Sequence, residues 1–319
     1  MTIPTSTSYR HSIGLGTLLT TLLTVLLSAG AHAQWVEPPT GDQLKNTPGL
    51  SHHTLDSAIM KTAVGYSVVL PPGYENSEVR YPVVYWLHGG GGNESSSLFT
   101  AQLWRDVEKS DTIRHVILVY PNGFRSGYMD HHDGKIMIES LIIKELIPLI
   151  DAKYRSIASR DGRAVHGFSM GSTGALKFAF KYPDLFCAAV AYGGGEVDLA
   201  KTKSQFILDI LERNLRSDPE LIRQNNTFYF LEKNHEVVRK NGTQFWLICG
   251  TDDSWKESAV TFQQALIERS LEGKKIEATK DQGWSWDELD TIDQKAGGSS
   301  RAEVDALRLM AVLLAHWDN

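Results

Sequence analysis

A serine flanked by glycines, Gly167-Phe168-Ser169-Met170-Gly171, stands where a short apolar run gives way to a helix-patterned one. A strand turning sharply into a helix there would thrust the Ser169 hydroxyl outward, and the close backbone approach would admit only residues without a Cβ on either side. At the start of such a helix the dipole and the N–H of Met170 favour developing negative charge. The pattern therefore suits attack of a hydroxyl on a carbonyl. His88-Gly89-Gly90-Gly91-Gly92-Asn93 follows another apolar run and offers a second donor, the N–H of Gly90. No Gly-Lys-Ser/Thr comes after it, which separates this loop from a nucleotide-phosphate cradle. Gly250-Thr251-Asp252-Asp253 ends a later apolar run and supplies an acid able to orient a histidine, Asp253 by its spacing and Asp252 second. Either aspartate could instead cap the helix that follows. His88 reads as structural, His166 as a satisfied side chain inside its strand, and His235 as a surface residue.

Strands and helices must alternate to bring these positions together. Strand patterns occupy 65–74, 81–90, 115–123, the segment "RAVHGFS", 185–193 and "TQFWLICGT", and the second is almost wholly apolar, as a strand buried on both faces requires. Between Lys135 and Tyr154 the residues Ile136, Leu141, Ile142, Leu146, Leu149 and Ile150 recur at helical steps, predicting one amphipathic helix. "MGSTGALKFAFKYP" predicts a helix that stops at Pro183, and further helices are expected over 256–271 and 302–317, with a last short strand at "KIEATK". The alternation predicts a mostly parallel α/β sheet covered on both faces. Residues 34–62 read as a lead-in and 63–319 as one domain, with a charged, helix-leaning insertion at about 196–241 acting as a cap over the carboxyl edge of the sheet.

Hydrophobic residues make up 42% of the 319-residue chain and charged ones 22%, ordinary for a protein with a sizeable core, so disordered and fibrous classes drop out. The apolar run 13–30 after Arg10, followed by Ala31-His32-Ala33, reads as a secretion leader, Met1 to Ala33. An uncleaved anchor is the alternative. Removing the leader takes the formal net charge from −6 to −7, which disfavours nucleic acid as a partner. Cys187 and Cys249 each sit in a strand-like run and read as buried thiols; in neighbouring parallel strands the sulfurs would stand roughly 16 Å apart, too far for a bridge.

Taken together, "YPVVYWLHGGGGNESS", "YPNGFRSGYMD", "ESLIIKELIPLID", "HGFSMGSTGALKFAFKYPDLF" and "CGTDDSW" resemble, in order, the blocks of the esterase D family of α/β-hydrolases, which includes feruloyl and acetylxylan esterases, S-formylglutathione hydrolase and the mycolyltransferase antigens. The similarity spans about residues 60–317. It implies an α/β-hydrolase fold with Ser169 as nucleophile, Asp253 as acid and the N–H groups of Gly90 and Met170 as oxyanion hole. It also implies no cofactor or metal, a small-molecule or polysaccharide-linked ester as substrate, a secreted or periplasmic location, and no membrane partner once the leader is removed.

One residue of that pattern is missing. The family's histidine is expected in "KDQGWSWDELD", where alignment on Gly283 puts Trp286 in its place, and no histidine occurs between His235 and His316. Three accounts are open. His131 or His132, in "MDHHDG", could replace it as base; the run Asp130 to Asp133 reads otherwise as a solvated loop, or as a metal-binding cluster. Alternatively the protein has become a slowed enzyme or a binding module for a glycan or aromatic ester, with Trp284 and Trp286 walling the pocket. Last, Asp287, Glu288 or Asp290 could act as base if burial raised its pKa. His316 is expected too far away, Ser172 replaces a usual glycine with little effect, and acyl transfer to a hydroxyl would use the same machinery.

Overall fold

The computed structural model describes residues 35–108, 114–250 and 253–271. The expected leader, Asp252, Trp284, Trp286, the carboxylates at 287–290, His316, and the strand and closing helix expected at "KIEATK" and 302–317 lie outside the described residues.

Among the described residues seven strands form one sheet: β1 (Leu50–Ser57), β2 (Thr62–Val69), β3 (Val83–Leu87), β4 (Ile117–Pro121), β5 (Arg163–Phe168), β6 (Ala188–Tyr192) and β7 (Gln244–Ile248), in the order β1-β2-β4-β3-β5-β6-β7. From β4 to β7 every pairing is parallel, and β1 and β2 add two antiparallel pairings at one edge. The mostly parallel α/β sheet is thus present. Its central strand β3, Val-Val-Tyr-Trp-Leu, is buried throughout: Val83, Tyr85 and Leu87 join the larger core layer while Val84 and Trp86 join the smaller. A strand covered on both faces needs no polar alternation, so its signal in the sequence was an unbroken apolar run.

The helices are α1 (Gly41–Asn46), α2 (Phe99–Glu108), α3 (Ile138–Leu141), α4 (Ile147–Lys153), α5 (Met170–Lys181), α6 (Gln205–Leu215), α7 (Pro219–Asn225), α8 (Thr227–Lys240) and α9 (Lys256–Ile267). Three features differ from the sequence reading. Residues 50–57, inside the expected lead-in, form β1, which among the described residues is an edge strand paired only with β2; it is mostly half-exposed and carries polar residues, so no apolar run announces it. The single helix expected over 135–154 is α3 and α4 joined through a π-helical turn, Ile142–Leu146, just ahead of Pro148, whose missing N–H interrupts the regular ladder. Within the expected cap, α8 is instead a layer helix. It packs along α5, and its Phe230, Leu231 and Val238 belong to the main core, because two parallel strands, β6 and β7, need a helical crossover between them. Only α6 and α7 remain as an addition, seated through Leu211 and Leu215 on Met129. No described helix is long and apolar enough to cross a membrane.

Candidate active site

The carboxyl ends of β3, β5, β6 and β7 share one edge of the sheet, and Phe168, Tyr192 and Ile248 stand level in the register. Ligand sites of open α/β sheets form at that edge. Ser169 follows Phe168 with φ 52 and ψ −113, a left-handed conformation that side chains rarely adopt, and its N–H donates to Tyr192 O at 2.8 Å. The turn is locked from the helix side as well. Both the N–H and the hydroxyl of Ser172 donate to Ser169 O, at 2.9 and 2.7 Å. Ser172, expected to be almost neutral, is therefore a clamp on the elbow, a role its hydroxyl could have signalled at the fourth position of a helix start.

The glycines act as the sequence predicted. A Cβ on Gly167 would lie 1.9 Å from Gly171 O, and one on Gly171 would lie 2.0 Å from Leu87 O. Gly171→Ala must push α5 away from the end of β3, which carries the glycine loop. A loss of roughly 3 kcal/mol in stability is expected from such overpacking, measurable by denaturant titration. A melting curve unchanged from wild type would refute this account of the turn.

Gly90 approaches the same point from β3. A Cβ placed on it would stand 4.0 Å from both Cβ and Sδ of Met170, and the N–H groups of Gly90 and Met170 meet no acceptor among the described residues. His88 holds this loop in shape: its Nδ1–H donates to Gly89 O (2.7 Å) and its Nε2 accepts from Gly123 N–H (2.8 Å), which defines a neutral tautomer. Burial lowers its pKa to about 4. Tyr128, fully buried, donates its hydroxyl to His88 O and packs its ring against Gly123 and Gly174.

Asp253 lies on the loop after β7, two strands from Ser169. Its carboxylate accepts from Trp255 N–H at 2.9 Å, at the start of α9, so the capping alternative describes one of its contacts. Burial first, and then the adjoining Asp253 carboxylate, raise the pKa of the Cys249 thiol. Both cysteines are free; Cys187 is buried as expected, whereas Cys249 is half-exposed.

No histidine ring is bonded to the Ser169 hydroxyl among the described residues. His131 is half-buried, with Nε2–H donating to Ser126 O at 3.2 Å and Nδ1 unengaged; burial foremost lowers its pKa. His132 is exposed, and its N–H donates to Asn214 O of α6. Asp130 is committed to Ser140, accepting its N–H (3.0 Å) and hydroxyl (2.6 Å). The loop is fastened to α5 at Gly174 and Lys177, one to two turns beyond the serine. His166, expected to be satisfied, is fully buried with neither ring nitrogen bonded among the described residues; its ring packs 3.9 Å from that of Trp86, and burial lowers its pKa to about 3. On that face of β5 its neighbours are apolar, so its position on the strand decided its surroundings.

Beneath the elbow lies a buried ionic cluster that the sequence did not announce. Lys177 of α5 pairs with Glu139 at 2.7 Å and donates to Tyr128 O (2.7 Å) and Asn225 Oδ1 (2.9 Å), while Lys181 pairs with Glu139 from the next turn. Burial by itself would raise the Glu139 pKa, but the two ammonium groups overcome this and hold it at about 2, from an ordinary 4.5. A carboxylate depressed on folding contributes stability that is complete above its unfolded pKa and is lost as pH falls through the folded value. Glu139 is therefore expected to remove roughly 3 kcal/mol between about pH 4.5 and 2. Glu139→Gln should flatten that part of the stability curve; an unchanged slope would exclude the cluster as its source.

The family model Esterase, described as "Putative esterase", matches residues 57–285. Two esterases of Mycobacterium tuberculosis, from strains CDC 1551 / Oshkosh and ATCC 25618 / H37Rv, are each 34% identical over 157 residues, covering 48% of this chain and 34% of theirs. The chain thus spans about a third of the length of these curated relatives. Among solved structures, a ferulic acid esterase superposes with a TM-score of 0.63 at 24% identity, over 84% of this chain and 98% of that one. An S-formylglutathione hydrolase of Agrobacterium tumefaciens gives 0.55 at 20% identity, over 68% and 82%. MPT51 of M. tuberculosis gives 0.54 at 16%, over 83% and 97%. These structural likenesses are to α/β-hydrolase folds.

Proposed function

The chain belongs to the Esterase family, and from that premise we propose that it is a serine carboxylic ester hydrolase of feruloyl or acetyl esterase type, working through an acyl-Ser169 intermediate. The observation that carries this reading is the strained left-handed Ser169 together with the amides of Gly90 and Met170, which meet no acceptor among the described residues. Strain of that kind persists where the surrounding structure holds it for a purpose. The Ser169 oxygen attacks the ester carbonyl, forming its bond to the acyl carbon and giving its proton to the base; the two N–H groups stabilise the resulting oxyanion, and collapse breaks the bond from the acyl carbon to the alkoxy oxygen, the alcohol leaving with the proton returned by the base. Water then cleaves the acyl-serine, releasing the acid and restoring the hydroxyl.

Asp253 serves as the acid of the relay. With Trp286 in the family's histidine position, the base is supplied by the 130–133 loop, His131 first. Burial lowers its pKa and so favours the neutral ring, its Nε2–H is engaged by Ser126 O while Nδ1 has no hydrogen bond among the described residues, and the role requires a local rearrangement of the loop. The substrate of this reading is a small-molecule or polysaccharide-linked ester, for which Trp284 and Trp286, outside the described residues, are the candidate stacking partners, and the leader Met1–Ala33 directs the mature domain to the periplasm or beyond.

The test is burst and steady-state hydrolysis of a short-chain aryl ester by the mature protein, by Ser169→Ala and by His131→Ala/His132→Ala. A rate lost in both variants supports the relocated base. A Ser169-dependent rate surviving in the double variant moves the base to the 281–300 segment. No Ser169-dependent rate, with this or a feruloyl ester, leaves a protein that binds a glycan or aromatic ester without cleaving it.

A further inference from the structure

One residue past Gly90 in the glycine loop, a cavity of about 150 Å³ is lined by Gly91, Gly92, Asn93, Asn122, Phe124, Arg125 and Glu37. A Cβ on Gly91 would meet nothing within 4 Å, so the glycine loop leaves this space open to a ligand. The opposite wall is built with care. Phe124 is held at φ 47, a conformation strained for an aromatic residue, by donation of its N–H to Asn122 Oδ1 at 2.9 Å. Asn122 is itself buried and donates to the buried Glu94, while Gly123 is tied to His88. The Phe124 ring packs 5.2 Å from that of Trp35. The next side chain, Arg125, is exposed, and its guanidinium makes no hydrogen bond or ion pair with a described residue.

A strained turn anchored to two buried polar residues thus presents an unpaired guanidinium across a cavity from the glycine loop. We propose that this cavity is a carboxylate-binding subsite, with Arg125 as its specificity-determining residue, so that the preferred ester carries a carboxylate on one arm. The planar guanidinium fork matches a carboxylate with two parallel hydrogen bonds, which a neutral ester cannot reproduce. Glu37, exposed on the cavity rim and not paired with Arg125, opposes a second negative charge and limits the site to one. This inference rests on the ester-hydrolase reading for its catalytic consequence, but the binding it requires does not.

The experiment compares 4-nitrophenyl acetate with 4-nitrophenyl hydrogen succinate, charged on the acyl arm, and 4-acetoxybenzoate, charged on the alcohol arm. In Arg125→Gln the ratio of kcat/KM for one charged ester over the neutral ester is expected to fall about tenfold or more, and in Glu37→Gln to rise about two- to threefold. The ester that responds identifies the arm. Ratios unchanged for both charged esters in Arg125→Gln would overturn the proposal. If no ester is cleaved, the hydrolase reading fails by itself, and 4-acetoxybenzoate is titrated against the intact protein by NMR. Binding lost in Arg125→Gln then upholds the subsite, and binding absent or insensitive to that change refutes it.

Discussion

Ser169→Ala is expected to lose about three orders of magnitude or more in kcat for a short-chain aryl ester while keeping its fold. On the proposed mechanism the amides of Gly90 and Met170 and the binding surfaces would still stabilise an oxyanion in this variant, but no covalent acyl-enzyme could form. With no histidine ring bonded to the serine among the described residues, the wild-type rate is expected to start lower than in a complete triad, so the ratio should lie nearer a thousand than a million. A companion change separates chemistry from strain. Ser169 has φ 52, so Ser169→Gly should match the kinetic loss yet gain about 1 kcal/mol of stability, because glycine adopts that conformation without a Cβ clash. A Ser169→Ala rate within tenfold of wild type would remove the serine as nucleophile. A Ser169→Gly protein less stable than wild type would remove the argument from strain.

Lys177→Met should produce the second large effect, a loss of about 3 kcal/mol in folding free energy. The ammonium is almost completely buried and satisfies three acceptors on three different segments: Glu139 of α3, Tyr128 O of the 122–137 loop and Asn225 of α7. Its removal strands a buried carboxylate, which typically costs 3 to 5 kcal/mol; Lys181 stays beside Glu139 and keeps the loss near the lower end. Adding Glu139→Gln should restore a large part of the deficit, since neither charge is then left alone. Equilibrium denaturation of the two single variants and the double reads this directly. Losses that simply add would show that the two residues do not act as a pair.

The network also bears on the candidate base. Lys177 holds the carbonyl of Tyr128, three residues before His131, and α6 holds the N–H of His132. The loop is therefore fixed to the elbow helix from below and to the added helices from above, and a variant that loosens Lys177 should alter the pH profile of hydrolysis more than the affinity for ester.

Much of the site was already written in the chain. Gly167 and Gly171 could be read as obligate glycines because a strand-to-helix turn leaves no room for a Cβ, a local steric rule, and a Cβ at either position would meet a backbone oxygen at 1.9 or 2.0 Å. The unbroken apolar runs of β3, β4 and β6 marked a parallel sheet for an equally local reason, burial on both faces. Tertiary structure alone decided the rest. Edge strand β1, half-solvated, carried no apolar signature; α8 was charged enough to pass for a cap, yet packs on α5 because parallel β6 and β7 need a crossover. His166 read as satisfied in one dimension, but its bonding depended on the neighbours that β3 brings to it, and they are apolar. Lys177, Glu139 and Asn225 lie far apart in sequence and become a cluster only when three segments converge. Periodicity reports which face of an element is buried; it carries no information about which distant charge or hydrogen-bond partner will meet that face, and only the folded chain settles that.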